Sequence, residues 1–463
     1  MGSEWREIGL NDLGEVARGR SRHRPRYAEH LYGGTYPFIQ TGDVKASGGI
    51  IDSHSQTYSE AGLAQSRLWP ANTMCITIAA NIAETGILSY PACFPDSVIG
   101  FIANENNCDV RFIEYRFRYL KAQLQREAIG SVQDNINLAT FERLKFSIPK
   151  VPEQKRIAHI LGSLDSKIQL NRQTNQTLEQ MAQALFKSWF VDFDPVIDNA
   201  LAAGNPIPPE LEQKAQVRAA AQASQAKPGA HPHDHASELP QHLRELFPSE
   251  FEHTEALGWV PKGWGVGSLS DIADYEKEKT NTAELNLENY VSTENMNKEK
   301  SGISTAAKLA STDQVPIFSV GQTLISNIRP YFKKIWFASF NGGRSNDVLC
   351  FQAKYKDVNE YLYSLLYQDT FFEYMTVTSK GTKMPRGDKK AIMDWPVVLP
   401  TLNLMEEFSK IIKPSFLANQ LRITESSTLI QMRDTLLPKL ISGELRLPVA
   451  ETDAPSLTDE ASV

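Results

Sequence analysis

Cysteine is scarce in this sequence: four residues (Cys75, Cys93, Cys108 and Cys350) in a chain of 463, with no CxxC spacing. That is too few for a disulfide framework and predicts reduced thiols in a cytoplasmic protein. Long apolar runs are also missing. None reaches the ~18 residues that a membrane span requires, and the opening MGSEWREIGL has no signal-peptide core, so no membrane association is expected. There is no Gly-rich phosphate loop and no Walker lysine, which argues against ATP hydrolysis by this chain. The segment FDPV (Phe193–Val196) lacks the aromatic-flanked Asn/Asp-Pro-Pro arrangement of an adenine-amino methyltransferase. Asp388-Lys389-Lys390 gives a bare Asp-x-Lys without an upstream carboxylate at nuclease-like spacing. His231, His233 and His235 stand in a low-complexity stretch without carboxylate or Cys support, so adventitious metal binding is the better reading. The sequence therefore predicts no catalytic residue, no metal site and no enzyme. The net charge of −7 argues against a wholly basic nucleic-acid coat, but localised positive charge can still hold DNA.

What the sequence does contain is a long heptad stretch, Val151–Phe190. Apolar residues recur at alternating steps of four and three: Ile157, Leu161, Leu164, Ile168, Leu178, Leu185 and Trp189. Asn171, Asn175 and Ala182 fill the gaps in the same stripe. A sustained 3.5-residue repeat is the pattern of a coiled-coil helix. Pro152 suits a first turn and Glu153 suits the positive helix end. At ~1.5 Å per residue the rod is roughly 58 Å long. Two asparagines in a seam weaken it but fix register.

The length allows about two to four domains, and a repeat organises them. Residues 1–150 read as a mixed α/β domain, 151–192 as the first long helix and 193–257 as an Ala/Pro/His-rich linker, partly helical and partly disordered. Residues 258–400 read as a second α/β domain, 401–447 as a second helical region and 448–463 as a disordered acidic tail. Tyr290–Met296 echoes Phe38–Val44, Gly321–Ile328 echoes Ala71–Ile78, and the loop Gly381–Asp388 echoes Gly130–Asn137. From there a constant shift of 251 residues aligns Ile157 with Phe408, Met181 with Met432 and Leu185 with Leu436. The expected fold class is α+β: two homologous mixed domains with a long antiparallel coiled-coil spacer and a pseudo-two-fold internal repeat. The apolar stripe of the second helix passes through Ile412, Phe416, Ile423, Ile430 and Leu437, one residue off the repeat alignment over its middle. Pro414 is expected to break or restart that helix.

Positive and amide side chains concentrate in a few places. In RGRSRHRPR every second residue is arginine (Arg18, Arg20, Arg22, Arg24 and Arg26). An extended backbone points these the same way at roughly 6.6 Å intervals, close to successive phosphates of one strand. The two equivalent loops carry Ser131, Gln133, Asn135 and Asn137 in one copy, and Lys380, Thr382, Lys383 and Arg386 in the other. Amides can bond bidentately to adenine edges and arginine to guanine edges. Asn327, Arg329, Arg344 and Asn346 are further candidates of this kind. A solvated charged loop is the plainer alternative for the arginine run, as is an ordinary turn for each loop residue.

Four segments together resemble the specificity subunit (HsdS) of type I restriction–modification systems: VPEQKR (Val151–Arg156), FKSWFVDF (Phe186–Phe193), PKGW (Pro261–Trp264) and LLPKLISGEL (Leu436–Leu445). The resemblance covers residues 1–447. It implies two target-recognition domains, each reading one half of a bipartite double-stranded DNA sequence, and two long helices that dock two modification subunits. On it, S-adenosylmethionine and adenine-N6 chemistry belong to the modification subunits. ATP and magnesium belong to the partner subunits as well, with translocation and cleavage on a restriction subunit. A coiled-coil scaffold with two protein-binding domains, or a self-contained methyltransferase or nuclease, are the competing readings.

Overall fold

The computed structural model describes residues 5–23, 25, 27–79, 81–129, 144–225 and 239–447. Contacts divide the chain into two units, residues 1–171 with 424–463, and residues 172–423.

The first unit runs β1 (Arg6–Gly9), α1 (Leu10–Leu13), β2 (Gly14–Arg18), β3 (Tyr32–Phe38), α2 (Thr41–Ala46), β4 (Ile50–Ile51), β5 (Gln56–Tyr58), α3 (Glu60–Ala64), β6 (Thr73–Thr77), β7 (Thr85–Leu88), β8 (Val98–Ala103), α4 (Val110–Ile129) and β9 (Lys145–Ile148), then enters α5 (Val151–Phe190). Its main sheet has the order β2-β8-β6-β7-β4, antiparallel except for the β4–β7 pair. β6 (TMCIT) is buried at all five positions, because β-branched and apolar residues there meet packed layers on both faces. Gly100 of β8 is required for that packing: a Cβ there would lie 2.6 Å from the Trp69 ring, which stacks on Phe94 at 4.8 Å.

The second unit contains the rest of α5, then α6 (Asp194–Ala203), α7 (Glu212–Gln225), α8 (Gln241–Arg244), β10 (Phe251–Thr254), β11 (Gly258–Pro261), β12 (Gly265–Ser268), α9 (Leu269–Ile272), β13 (Ala273–Tyr275), β14 (Lys279–Asn281), β15 (Tyr290–Val291), β16 (Gln314–Phe318), β17 (Thr323–Ser326), β18 (Ile335–Phe337), β19 (Gly342–Arg344), β20 (Val348–Ala353), α10 (Asn359–Leu366), α11 (Asp369–Val377), α12 (Lys389–Met393), β21 (Pro396–Leu399) and the first part of α13 (Leu402–Ser442). The strand order β13-β20-β17-β18 repeats β2-β8-β6-β7, and the antiparallel pair β12–β21 repeats β1–β9. The duplication read from short sequence echoes is thus a duplication of topology.

The stretch 193–257 is more than a tether. Val196, Leu243 and Phe247 are buried in one core with Trp189, Phe193 and Trp264, and β10 forms a hairpin with β11. Arg218 holds α7 to α6 through Asp198, and Lys214 pairs with Asp192 at 2.6 Å. The Ala/Pro composition concealed this, because four apolar side chains spread along the segment do the anchoring.

Both long helices are continuous. α13 passes through Pro414 without interruption, contrary to the expected break. Pro414 and Lys410 both lie on the exposed face, where water can take the place of the forfeited backbone bond. In the first unit Ile157 and Leu161 share a core with Leu440 and Ile441, while Asn171 Nδ2 donates to Glu425 Oε2 at 2.7 Å and to Ser426 Oγ at 3.2 Å. In the second, Trp189 meets Phe408, and Asn175 Nδ2 donates to the Asn419 carbonyl at 3.3 Å. In each unit the start of one helix lies against the end of the other, so the pairing is antiparallel.

The α5 seam is buried or half-buried at Ile157, Leu161, Leu164, Ile168, Asn171, Asn175, Leu178, Ala182, Leu185 and Trp189. The α13 seam differs from the apolar stripe. Ile412 is buried and Phe416, Ile430 and Leu437 are half-buried, but Ile423 is 55% exposed. Every position of the α5 seam shifted by 251 residues is covered: Phe408, Ile412, Ser415, Asn419, Arg422, Ser426, Leu429, Arg433, Leu436 and Leu440. Polar residues occupy the middle of that seam, so apolarity alone drifts off it.

Candidate nucleic-acid interface

One end of the second unit's sheet is built from three loops. Residues 327–334 follow β17, residues 345–347 precede β20, and residues 380–388 lead into α12. Backbone bonds tie them together: Asn327 N–H to the Asp347 carbonyl at 2.8 Å, Arg329 N–H to Pro385 at 2.8 Å and Gly387 N–H to Asn327 at 3.1 Å. Lys380 and Arg386 exchange N–H···O bonds at 2.8 and 2.9 Å and so close the third loop into a tight tongue. Its tip carries exposed Thr382, Lys383 and Met384. Arg386 pairs with Asp347 at 3.2 Å and Lys380 with Asp388. Asp388 also caps α12, accepting from Lys390 and Ala391 N–H groups. The Lys380 ammonium, followed by those two amides, holds its carboxyl below the usual range.

The structure therefore gathers Arg329, Asn346, Lys380, Thr382, Lys383 and Arg386 at one sheet end, with Asn346 exposed and Arg329 in left-handed backbone at φ 51°. Two sequence candidates are corrected. Arg344 is buried, and its guanidinium donates to the carbonyls of Ile317 (3.1 Å), Val348 (2.5 Å) and Glu276 (2.7 Å). Asn327 is also buried, and its backbone brackets the loops. Both support the surface from beneath rather than face a duplex. Sequence reasoning missed Lys298, Lys300, Lys333 and Lys334. Lys298 lies 4.1 Å over the Phe332 ring, and Lys300 and Lys333 flank Asp369 at 2.8 and 2.9 Å. Burial, with Lys298 nearby, pushes the Lys334 ammonium below its ordinary range. The signal was present in RPYFKK, three cations around two aromatics.

In the first unit the arginine run leaves the matching sheet end. Gly19 N–H donates to Val98 at 2.9 Å, Arg20 N–H to Phe94 at 3.2 Å, and Ile78 N–H, in the loop after β6, to Ser97 at 3.0 Å. Gly19 and Ser21 are buried while Arg18, Arg20 and Arg22 are exposed, which is the alternation of an extended segment. Arg18 Nε donates to the Asp96 carbonyl at 2.5 Å; Arg20 and Arg22 have no ion pair among the described residues. Arg24, Arg26, Ser131, Gln133, Asn135 and Asn137 lie outside the described residues. Replacing Arg20 and Arg22 by Ala is expected to lower the slope of log affinity for duplex DNA against log salt by up to ~0.9 per lost phosphate contact. A salt titration checks this, and an unchanged slope returns the run to a solvated loop.

Residues 2–180 match the family described as the type I restriction modification DNA specificity domain. The HindI specificity subunit of Haemophilus influenzae is 25% identical, covering 96% of this chain and all of that one. The MjaIX specificity subunit of Methanocaldococcus jannaschii is 24% identical, covering 96% of this chain and 94% of that protein. Residues 2–180 are thus similar to a type I DNA specificity domain, and 96% of the chain is similar to type I specificity subunits. A crystal structure of the type I S subunit from M. genitalium shares the fold, with a TM-score of 0.56 at 13% identity over 95% of this chain and 96% of that one. Among the described residues no group of three or more His, Cys, Asp or Glu is placed to hold a metal ion. His231, His233 and His235 lie outside them. No helix among the described residues is long and apolar enough to cross a membrane. All four cysteines are buried, and burial pushes the Cys93 thiol to about 11 and the Cys350 thiol to about 12.

Proposed function

We propose that this subunit reads a bipartite, asymmetric DNA target, one recognition domain per half-site, and docks modification and restriction subunits without doing chemistry itself. One observation carries the reading: the same sheet end recurs in both units but presents different side chains. The first copy has Arg18, Arg20 and Arg22 on an extended segment; the second has a lysine-tipped tongue beside Arg329 and Asn346. Arginines and lysines on phosphates would set position, while polar loop side chains and arginine would read base edges. Divergent loops on a shared scaffold give different half-sites. S-adenosylmethionine, ATP and magnesium would act on the partner subunits, the adenine-N6 methyl transfer on the modification subunit.

The test expresses the chain with its modification partner and maps methylated adenines by single-molecule sequencing. Exchanging residues 258–400 for the equivalent domain of a relative is expected to change one half of the motif only. A change in both halves, or no bipartite motif at all, overturns the reading and favours a protein-binding scaffold. Methyl transfer or cleavage by the purified chain alone would overturn the non-catalytic part.

A further inference from the structure

Within the first unit, α4 is fastened to both long helices by charge. Asp165 of α5 accepts at Oδ2 from Arg118 Nη1 (2.9 Å) and from the Tyr115 hydroxyl (2.8 Å), and at Oδ1 from Arg433 Nη1 of α13 (2.9 Å). Arg118 continues the chain of bonds into the sheet side of the domain. Its Nε donates to buried Glu114 at 2.6 Å, Glu114 accepts from Thr85 Oγ1 of β7 at 2.9 Å, and Arg118 Nη2 donates to the Gly48 carbonyl at 2.7 Å. A Cβ on Gly49 would fall 1.6 Å from Arg118 Nη2, so the guanidinium occupies a slot shaped for it.

The repeat-related joint of the second unit is built differently. A shift of 251 residues takes Asp165 to Phe416 and Arg433 to Ala182. Phe416 packs on Phe337 (4.8 Å) and Tyr363 (5.4 Å), which also touch each other at 5.2 Å. Aromatic contacts tolerate sliding, whereas arginine forks on a carboxylate fix direction. A partly buried ion cluster adds little net stability over apolar packing, so its value here is geometric.

We infer that Asp165 is a positioning residue: it fixes the angle at which the first recognition domain meets the helix pair, and so governs reading of one half-site. This rests on the bipartite reading above. The test uses the full complex with its modification partner and compares wild type, Asp165→Asn and Asp165→Glu. Initial methylation rates are measured on the mapped target and on targets carrying one mismatch in either half. Asp165→Asn is expected to slow methylation roughly 3- to 30-fold. It should relax discrimination only in the half-site that stays unchanged when residues 258–400 are exchanged, and Asp165→Glu should restore part of it. If Asp165→Asn unfolds the first unit, Arg433→Ala, which leaves the Tyr115 and Arg118 bonds in place, is expected to show the same one-sided loss. Equal losses in both halves, or unaltered discrimination with either variant, overturn the inference. A wild-type complex that methylates no bipartite motif overturns the underlying reading instead.

Discussion

A chain carrying Trp189→Ala is expected to lose about 3–5 kcal/mol of stability, confined to its second unit. Trp189 is 2% exposed and meets Phe247 at 5.1 Å, Phe408 at 5.7 Å and Phe190 at 6.0 Å, mostly edge-on. It sits where the end of α5, the start of α13 and the segment around Phe247 converge, so truncation removes both transfer free energy and the edge-on aromatic contacts. No neighbour can fill an indole-sized hole without moving a helix. The measurement is hydrogen exchange by mass spectrometry across a urea series: residues 172–423 should open at lower urea, and 5–171 should not. The repeat-related niche in the first unit holds Leu440, packed with Ile157 and Leu161. A loss below about 1 kcal/mol for Trp189→Ala would show that the helix end is not part of this core.

The first helix was legible because its seam is apolar at both ends and holds only two asparagines in the middle. The second helix was legible as a helix but not in register. Its central seam positions are Asn419, Arg422 and Ser426, and the eye for apolarity goes to Ile423 instead, which faces solvent. The internal repeat held the better answer, since shifting the α5 seam by 251 residues gives the covered face directly. Pro414 misled for a related reason: a proline rule written for any helix interior ignores whether the carbonyl it strands is wet. The linker's anchoring was not legible, because composition averages over a segment while Val196, Leu243 and Phe247 act individually.

The candidate interface was legible in its loops but not in its layers. Lys380, Thr382, Lys383 and Arg386 stand out in the sequence through an echo between the two copies, and in the structure the tip of that tongue is exposed. Which polar residue lies above the sheet end and which beneath depends on strand register and depth, information that type and spacing do not carry. Asn327 ends up under the tongue because its own backbone pairs with Asp347 and Gly387.

Arg344 turns that distinction into a measurable difference. Its removal as Arg344→Ala takes a charged donor from three carbonyls, the buried one of Val348 and the half-buried ones of Ile317 and Glu276, each bond worth at least roughly 1 kcal/mol. A loss of about 3 kcal/mol or more is therefore expected in the second unit. Burial lowers the guanidinium pKa from its ordinary value, the expected direction for a cation whose partners are neutral carbonyls. The fraction that remains folded should bind duplex DNA with an unchanged salt slope, because the side chain has no route to a phosphate. Lys383→Ala should do the reverse: stability within about 0.5 kcal/mol of the parent, and a salt slope lower by up to ~0.9 if that ammonium sits on a phosphate. Chemical denaturation and salt-titrated binding on the two variants separate a residue that builds the surface from one that uses it. If Arg344→Ala proved stable and lowered the slope, the loops at this sheet end would have to rearrange on DNA to expose it.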